Sequence, residues 1–570
     1  LVAFREKIAG LKFLDPACGC GNFLVISYRE LRLLEFDILE LLLGKEKVLD
    51  VHDEILVNVN QFYGIEIEEF PAQIAQVAMW LVDHQMNMQV RERFGAYFVR
   101  LPLTAAASIH NTNALTTDWE SIVPKNELSY ILGNPPFLGS KVMTDTQRNE
   151  VSMIFGNLKN CGILDYVTCW YGRAAQYIQN TQIEAAFVST NSICQGEQVP
   201  VLWPELMNKY GVKINFAHQT FKWTNEARGK AAVYCIIVGF GLFDRTAKRL
   251  FYYSNVTSNP TSNTVSQINA YLVDFNTIFI TSRSMPLCNA PPMSFGNMPL
   301  DGGNLLLSDT EKNALLQIEP DAAKYIKPFI SAREYLNNMN RWCIWLVDIE
   351  PSELRKLPEI KKRVEAVKTF RLASIAPSTR EHAVTPALFR DRNCPDSFIV
   401  VPRVSSETRK YIPMGFFDGN SIAGDTCMII PNGSLYHFGI LTSSMHMAWM
   451  RYVCGRLELR YRYSKDIVYN NFPWPSPVQK QFETIQKEAQ TILEIRIKYP
   501  KSSLADLYDP LSMPADLIKA HHKLDKAVEN AYGRKFDDDS QRVAYLFELY
   551  QKLSGELFVD EKKRGKGRKI

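Results

Sequence analysis

The stretch Ser129-Tyr-Ile-Leu-Gly-Asn-Pro-Pro-Phe137 combines an apolar run with an abrupt chemical stop. The run predicts a short buried strand, and Gly133, Asn134, Pro135 and Pro136 end it. Proline has no N–H and a fixed φ, so the carbonyls of Asn134 and Pro135 are left as rigidly aimed acceptors outside any ladder. The Asn134 side chain adds another oxygen. Together these acceptors can take both hydrogens of a planar amino group and draw its lone pair toward an electrophile, while Phe137 stacks on the attached ring. Methyl transfer to an exocyclic amine requires this. A bare Asn-Pro-Pro-Phe is also an ordinary turn after a strand, so its meaning rests on what precedes it.

The electrophile needs a holder, and the chain supplies one upstream. Residues 11–14 read as a short apolar strand, followed by Asp15-Pro16-Ala17-Cys18-Gly19-Cys20-Gly21-Asn22-Phe23 and an apolar helical stretch over 24–43. Strand, glycine-rich turn and helix let a ligand approach backbone N–H groups at the helix start. The spacing is not the dinucleotide fingerprint. An acid at the strand end suits a sulfonium with its α-amino group better than a pyrophosphate. Residues 61–66 predict a second strand, ending in Glu66 where an acid can accept ribose hydroxyls, and then a helix over about 71–88. Residues 111–115 read as a third strand end, with Asn113, beside Ala114, placed to bond the adenine of a nucleoside. The strand carrying Asn134 is the fourth. Four polar strand ends at the carboxyl edge of one parallel sheet form one crevice.

The remaining elements are coarser. Residues 165–179 predict a helix turning Tyr166, Trp170 and Tyr171 into the core, residues 184–189 a buried strand, and residues 233–240 an apolar strand that ends the sheet. Residues 254–262 and 284–303 have linker composition. Beyond them, 324–345 and 349–372 read as helix-containing, with Glu359 and Lys361 on a salt-laced surface helix. Residues 398–403, 411–414 and 427–430 are strand-like. From 478 onward the chain reads as helical, with a basic tail over 561–569 that is either a phosphate contact or merely solvated; His521 and His522 are expected in packing or at the surface.

The chain has 570 residues, too many for one core, and three domains are expected: residues 1–280, 281–477 and 478–570. A net charge of +4 neither requires nor excludes nucleic acid, so local basic surface is what matters. No apolar run reaches the roughly 18 residues of a membrane span, and Leu1 in place of Met suggests a start inside a longer chain. Eleven scattered cysteines suit a reducing cytoplasm, and Cys18 and Cys20 lack the further ligands of a metal site.

Asp15-Pro-Ala-Cys-Gly-Cys-Gly-Asn-Phe23 with Gly133-Asn-Pro-Pro-Phe137 strongly resembles the S-adenosylmethionine-dependent DNA adenine-N6 methyltransferases of the gamma arrangement, in which the cofactor motif comes first, the catalytic motif second and target recognition last. Two later stretches, Phe216-Ala-His-Gln-Thr-Phe221-Lys-Trp-Thr-Asn-Glu-Ala-Arg-Gly-Lys-Ala-Ala-Val233 and Arg456-Leu-Glu-Leu-Arg-Tyr-Arg-Tyr-Ser464, resemble the MmeI-like type IIL restriction-modification enzymes. The resemblance implies a Rossmann-like class I methyltransferase domain, a mixed α/β target-recognition domain and a helical C-terminal region. It implies S-adenosyl-L-methionine as cofactor, double-stranded DNA as partner, and a nuclease region of the same polypeptide that lies ahead of this chain. Phe221, with Trp223 as the alternative, falls where an aromatic ring sandwiches an extruded adenine opposite Phe137. Glu458, Arg460 and Arg462 fall in a base-reading segment; Arg460 and Arg462 alternate with Tyr461 and Tyr463, so on a strand both face one way. A phosphate-binding or carboxylate-pairing role competes for these arginines. Two rival functions remain: methylation of another amine, in protein glutamine or RNA, and a specificity module without catalysis.

Overall fold

The computed structural model describes residues 1–43, 54–94, 107–223, 233–253, 258–458 and 460–566. Two compact units divide the chain, Leu1–Phe279 and Ile280–Ile570.

The strands of the first unit are Phe13–Asp15 (β1), Phe62–Glu66 (β2), Ser108–Asn111 (β3), Tyr130–Gly133 (β4), Glu184–Thr190 (β5), Lys213–Trp223 (β6), Val233–Gly241 (β7), Lys248–Tyr252 (β8) and Thr261–Val265 (β9). Among the described residues they form one sheet, ordered β3-β2-β1-β4-β5-β7-β6-β8-β9. β1 to β5 run parallel, and β7 is antiparallel to β5 and β6. β7 therefore does not end the sheet, as its apolar run predicts. It inserts between β5 and β6, and both its faces are covered there, which is why its residues read as a continuous apolar stretch. Successive strands add outward from β1 in one direction to β3 and in the other to β5. The connection changes direction between β1 and β4, and such a switch point opens a crevice at the carboxyl edge.

Register explains why this part of the sheet is rigid. Phe13 pairs with Phe62 on one side and Tyr130 on the other, and their rings stack at 5.0 and 5.4 Å. Helices Val2–Ala9 (α1), Asn22–Leu43 (α2) and Glu69–Phe94 (α3) belong to the same part of the unit. Leu24, Tyr28, Phe36 and Leu39 recur at helical spacing on the buried face of α2 and meet Met79, Val82 and Met86 of α3 in one cluster. Arg32 lies on the same face. Its burial is tolerated because it donates to the Tyr28 hydroxyl at 2.8 Å and Asn87 Oδ1 at 3.1 Å, with Asp83 3.7 Å away. Asp145–Phe155 (α4) and Thr168–Tyr177 (α5) follow β4, and Tyr166, Trp170 and Tyr171 are buried as their spacing predicts.

The second unit is mixed α/β. Its largest described sheets have four strands each; one contains Ser397–Pro402, Gly415–Asp418 and Cys427–Pro431, and the other Ile326–Ile330 and Trp342–Ile344. Helices Ala332–Asn337 and Pro358–Leu372 fall in the two stretches read as helix-containing. Residues 411–414 are not a strand. They are buried because Tyr411 stacks on His521 at 4.0 Å and its hydroxyl donates to Asp525 at 2.6 Å, so side chains rather than a ladder hold them. Residues 284–303, linker-like in composition, are packed into this unit. Asn297 is fully buried, and its amide donates to the carbonyls of Asn393 and Ala423. The C-terminal part consists of Gln479–Ile497, Ala515–Ala531 and Asp539–Lys566. Of the basic tail, residues 567–569 lie outside the described residues. His521 is a packing residue, while His522 is exposed near Lys410.

All eleven cysteines are free thiols. Among the described residues no helix is long and apolar enough to cross a membrane, and no cluster of three His, Cys, Asp or Glu side chains could hold a metal.

Candidate functional site

β1 ends in Asp15, and the turn after it leads into α2. Asp15 is 1% exposed, and one carboxylate oxygen accepts the N–H of Ala17 at 3.0 Å. Burial pushes its carboxyl up to about 7; the Ala17 N–H opposes this and the charge of Glu66 adds to it. Gly19 and Gly21 have φ of +53° and +83°. At Gly21 a side chain would also crowd α3, since a Cβ would lie 3.1 Å from that of Ala75. Glu66, ending β2, accepts the N–H of Gly19 and the N–H of Glu68, each at 2.9 Å. It thus braces the turn, and each oxygen keeps a lone pair for a further donor.

β4 brings its end to the same edge, on the other side of the switch point. A Cβ on Gly133 would lie 2.7 Å from Asp15 Oδ1, so the carboxylate occupies the space above this glycine. Asn134 follows immediately. It is exposed, Pro135 is buried, Pro136 is exposed and Phe137 is half-buried. Among the described residues no N–H or O–H donates to the carbonyl of Asn134 or Pro135. The arrangement leaves several oxygen acceptors beside a buried carboxylate.

Asn113 lies after β3, and its amide already has partners. It donates to Glu150 at 2.6 Å and accepts the N–H of Leu115 at 2.9 Å. Ala114 is buried, and its carbonyl accepts the indole N–H of Trp119.

A group of residues with no chemical signal in the sequence joins these strand ends. The indole N–H of Trp170 donates to the carbonyl of Pro16 at 2.9 Å. Tyr166 donates its N–H to Leu138 at 2.9 Å and its hydroxyl to Glu150 at 2.5 Å. Asp165 accepts from the N–H of Ser140 and from the hydroxyl of Ser192. Residues 165–170, with Glu150 of α4, thereby touch the chain after β1, β3, β4 and β5. Their aromatic spacing correctly indicates burial, and gives no hint that they fasten a crevice.

Phe221 lies near the end of β6 and Trp223 two residues on. Thr190 of β5 pairs with Cys235 of β7, which pairs with Phe221, so Phe221 shares the carboxyl edge of the parallel strands. It stands among His218, Trp223 and Tyr253. Residues 224–232 of the motif lie outside the described residues.

In the second unit Gly455–Leu457 and Arg460–Arg462 form a hairpin, with Val404–Ser405 as a third strand. Leu457 pairs with Arg460, and Glu458, directly after Leu457, has a left-handed φ of +59°. Tyr461 and Tyr463 are buried, and Arg460 and Arg462 are exposed on the opposite face, as their alternation predicts. Arg460 donates to Glu458 at 3.0 Å. Exposed pairs of this kind contribute only about 0–1 kcal/mol, so both groups can exchange each other for another partner at little cost.

A mostly parallel sheet with an acid-bearing turn and an Asn-Pro-Pro-Phe strand end on either side of its switch point defines a Rossmann-like methyltransferase fold, followed here by a mixed α/β unit with helices at its end. Three family models match in chain order: the DNA-methyltransferase domain of MmeI over residues 1–252, its target recognition domain over 274–476 and its C-terminal domain over 477–558. The chain belongs to the MmeI family. It is similar to the solved structure of the Type IIL restriction-modification enzyme MmeI in complex with DNA, at 49% identity and TM-score 0.88, over 97% of this chain and 74% of that one. It is also 40% identical over 556 residues to DNA methyltransferase A of Bacillus subtilis (strain 168), which covers 96% of this chain. It spans 62% of that protein's length.

Proposed function

We propose that the chain methylates the N6 amine of adenine in double-stranded DNA, using S-adenosyl-L-methionine, as part of a restriction-modification system. The contact between Asp15 and Gly133 carries this reading, because it puts the acid of the cofactor turn against the residue that precedes Asn134. The donor set fits the cofactor. Asp15 is a buried carboxylate held by a backbone N–H, with no ion pair among the described residues, and suits a cationic methionine end. Glu66 keeps acceptors for a ribose, the glycines of the turn leave room at the start of α2, and Pro16, Ala17, Asn22 and Phe23 complete the wall. Asn113 and Ala114 would meet the adenine moiety through the loop they form.

S-adenosylmethionine supplies a methyl group on a sulfonium, an electrophile that needs no further activation. The residues of the chain act on the nucleophile. A duplex hides the face of its amines in the stack, so the base is extruded, and Phe137 and Phe221 offer it aromatic surfaces worth about 1–3 kcal/mol each. The side-chain oxygen of Asn134 and the carbonyl of Pro135 accept the two N6 hydrogens, and Pro136 keeps the backbone rigid behind them. The lone pair is thereby turned toward the methyl, and alignment supplies most of the acceleration. Glu458 would accept from a cytosine amine, and Arg460 and Arg462 would donate to guanine O6 and N7. The methyltransferase, target-recognition and helical regions would occupy residues 1–280, 281–477 and 478–570. A nuclease region of the same polypeptide and a cytoplasmic location complete the reading.

The Asp15 carboxyl gives a pH dependence. With its pKa pushed up to about 7, it is largely protonated in the free chain below that pH, whereas a cationic ligand favours the ionised form. Cofactor affinity should therefore rise with pH, by up to about tenfold per unit below 7, and level off above it. Calorimetric titration between pH 5.5 and 8.5 checks this, and an unchanging affinity removes Asp15 from the cofactor site.

The proposal itself is tested by offering the chain methyl-labelled cofactor with duplex DNA, RNA or protein. Label recovered as N6-methyladenine from duplex DNA supports it. Label confined to RNA or protein would establish the rival amine methyltransferase, and no label despite cofactor binding would favour a specificity module.

A further inference from the structure

We propose that Tyr253, fastened by His218, is the positioning residue for the Phe221 ring on which the extruded base stacks; this inference rests on the function proposed above. Between His218 and Phe221 β6 advances three residues while its partner β7 advances two, from Ile237 to Cys235. This is a bulge, and a bulge re-aims the side chain beside it. The two bulged residues are held from outside the strand. The Gln219 amide donates to the carbonyl of Leu272 at 2.9 Å, and Thr220 Oγ1 accepts from Asn191, just after β5, at 3.4 Å.

The ring that results is backed by a second one. Tyr253 stacks on Phe221 with centroids 5.1 Å apart and planes 22° from parallel. Its hydroxyl lies 2.8 Å from His218 Nδ1, and the imidazole of His218 stacks on Phe251 at 4.0 Å and 4°. The Arg249 guanidinium lies 5.0 Å from the centre of the Phe251 ring. Two stacks, Tyr253 on Phe221 and His218 on Phe251, are thus joined by one hydrogen bond. Burial, with the charge of Arg249, lowers the His218 pKa to about 4, so the imidazole is neutral near pH 7 and the bond does not depend on its titration there. One face of Phe221 is taken by Tyr253, so a base can stack only on the other. An aromatic ring held in this way loses no rotamer freedom when a base arrives.

The test uses the whole chain with S-adenosylhomocysteine and a duplex in which 2-aminopurine replaces the target adenine, because extrusion of that base raises its fluorescence. Wild type is expected to brighten the duplex. Tyr253→Ala and Tyr253→Leu, the second keeping most of the apolar bulk without a ring, are expected to lose most of the signal and about tenfold in kcat/KM for DNA, with cofactor affinity within experimental error and the chain still folded at the assay temperature. Tyr253→Phe keeps the stack but loses the hydroxyl bond to His218, and is expected to fall between wild type and Tyr253→Leu in both. Wild-type brightness and kcat/KM in Tyr253→Leu would overturn the inference while leaving the methyltransferase reading intact. A wild-type chain that neither brightens the duplex nor methylates DNA would overturn both.

Discussion

Asn134→Ala is expected to lower the methylation rate by about 10²–10³-fold or more while cofactor affinity stays within about twofold. The substitution removes the one side-chain acceptor at the β4 edge and leaves Asp15, Gly133 and the glycine turn untouched. Asn134 is exposed, so folding stability should change little. Single-turnover methylation together with a cofactor titration separates the two effects. Parallel losses of binding and rate would mean that Asn134 supports the cofactor turn and does not orient an amine.

The second large effect is expected at the hairpin. Arg460→Ala should cost about 1–3 kcal/mol, or about 5- to 150-fold in kcat/KM, on the preferred duplex. The loss should be concentrated at one base pair, so discrimination at that position falls while discrimination elsewhere is kept. The partner of Arg460 in the free chain is the exposed Glu458, and stability should fall by less than about 1 kcal/mol. Rates on a panel of duplexes varied one position at a time give the answer. A uniform loss over all sequences, with a shallower salt dependence, would assign Arg460 to a phosphate instead.

The parts of the fold that were legible in the sequence are those written locally. Asp15, Glu66 and Gly133 each close a short apolar run, and a run ended by an acid, a glycine or a proline marks a strand end without any knowledge of its neighbours. The facing of the arginines was legible for the same reason: Arg460, Tyr461, Arg462 and Tyr463 alternate in type, and strand geometry turns alternation in type into alternation in facing, whereas the hairpin that holds them was not read from the sequence. The resemblance of the two methyltransferase motifs identified the family, which three family models and a 49% identical solved structure support.

What escaped the sequence depends on long-range pairing. The place of β7 between β5 and β6 is a matter of strand order, to which an apolar run of nine residues is indifferent. Trp170 reads as core, and it is core; its bond to Pro16 spans 154 positions and has no local signature. Glu150 is one acid on an amphipathic helix until the fold brings Asn113 and Tyr166 to it. Asn297 likewise turns a linker-like stretch into packed structure through a carbonyl 126 positions away. The polar strand ends that border the crevice were readable because each closes a local run. Their support was not, because the side chains that supply it are ordinary core residues.

The most direct measurement is a crystal structure of the chain with sinefungin, a cofactor analogue that carries an amine where the sulfonium bears its methyl. The amino acid end of the ligand is expected against Asp15, its ribose on Glu66, and that amine facing Asn134 across a gap the width of one nucleobase nitrogen. A ligand bound at another edge of the sheet, or one whose amine points away from Asn134, would contradict this placement.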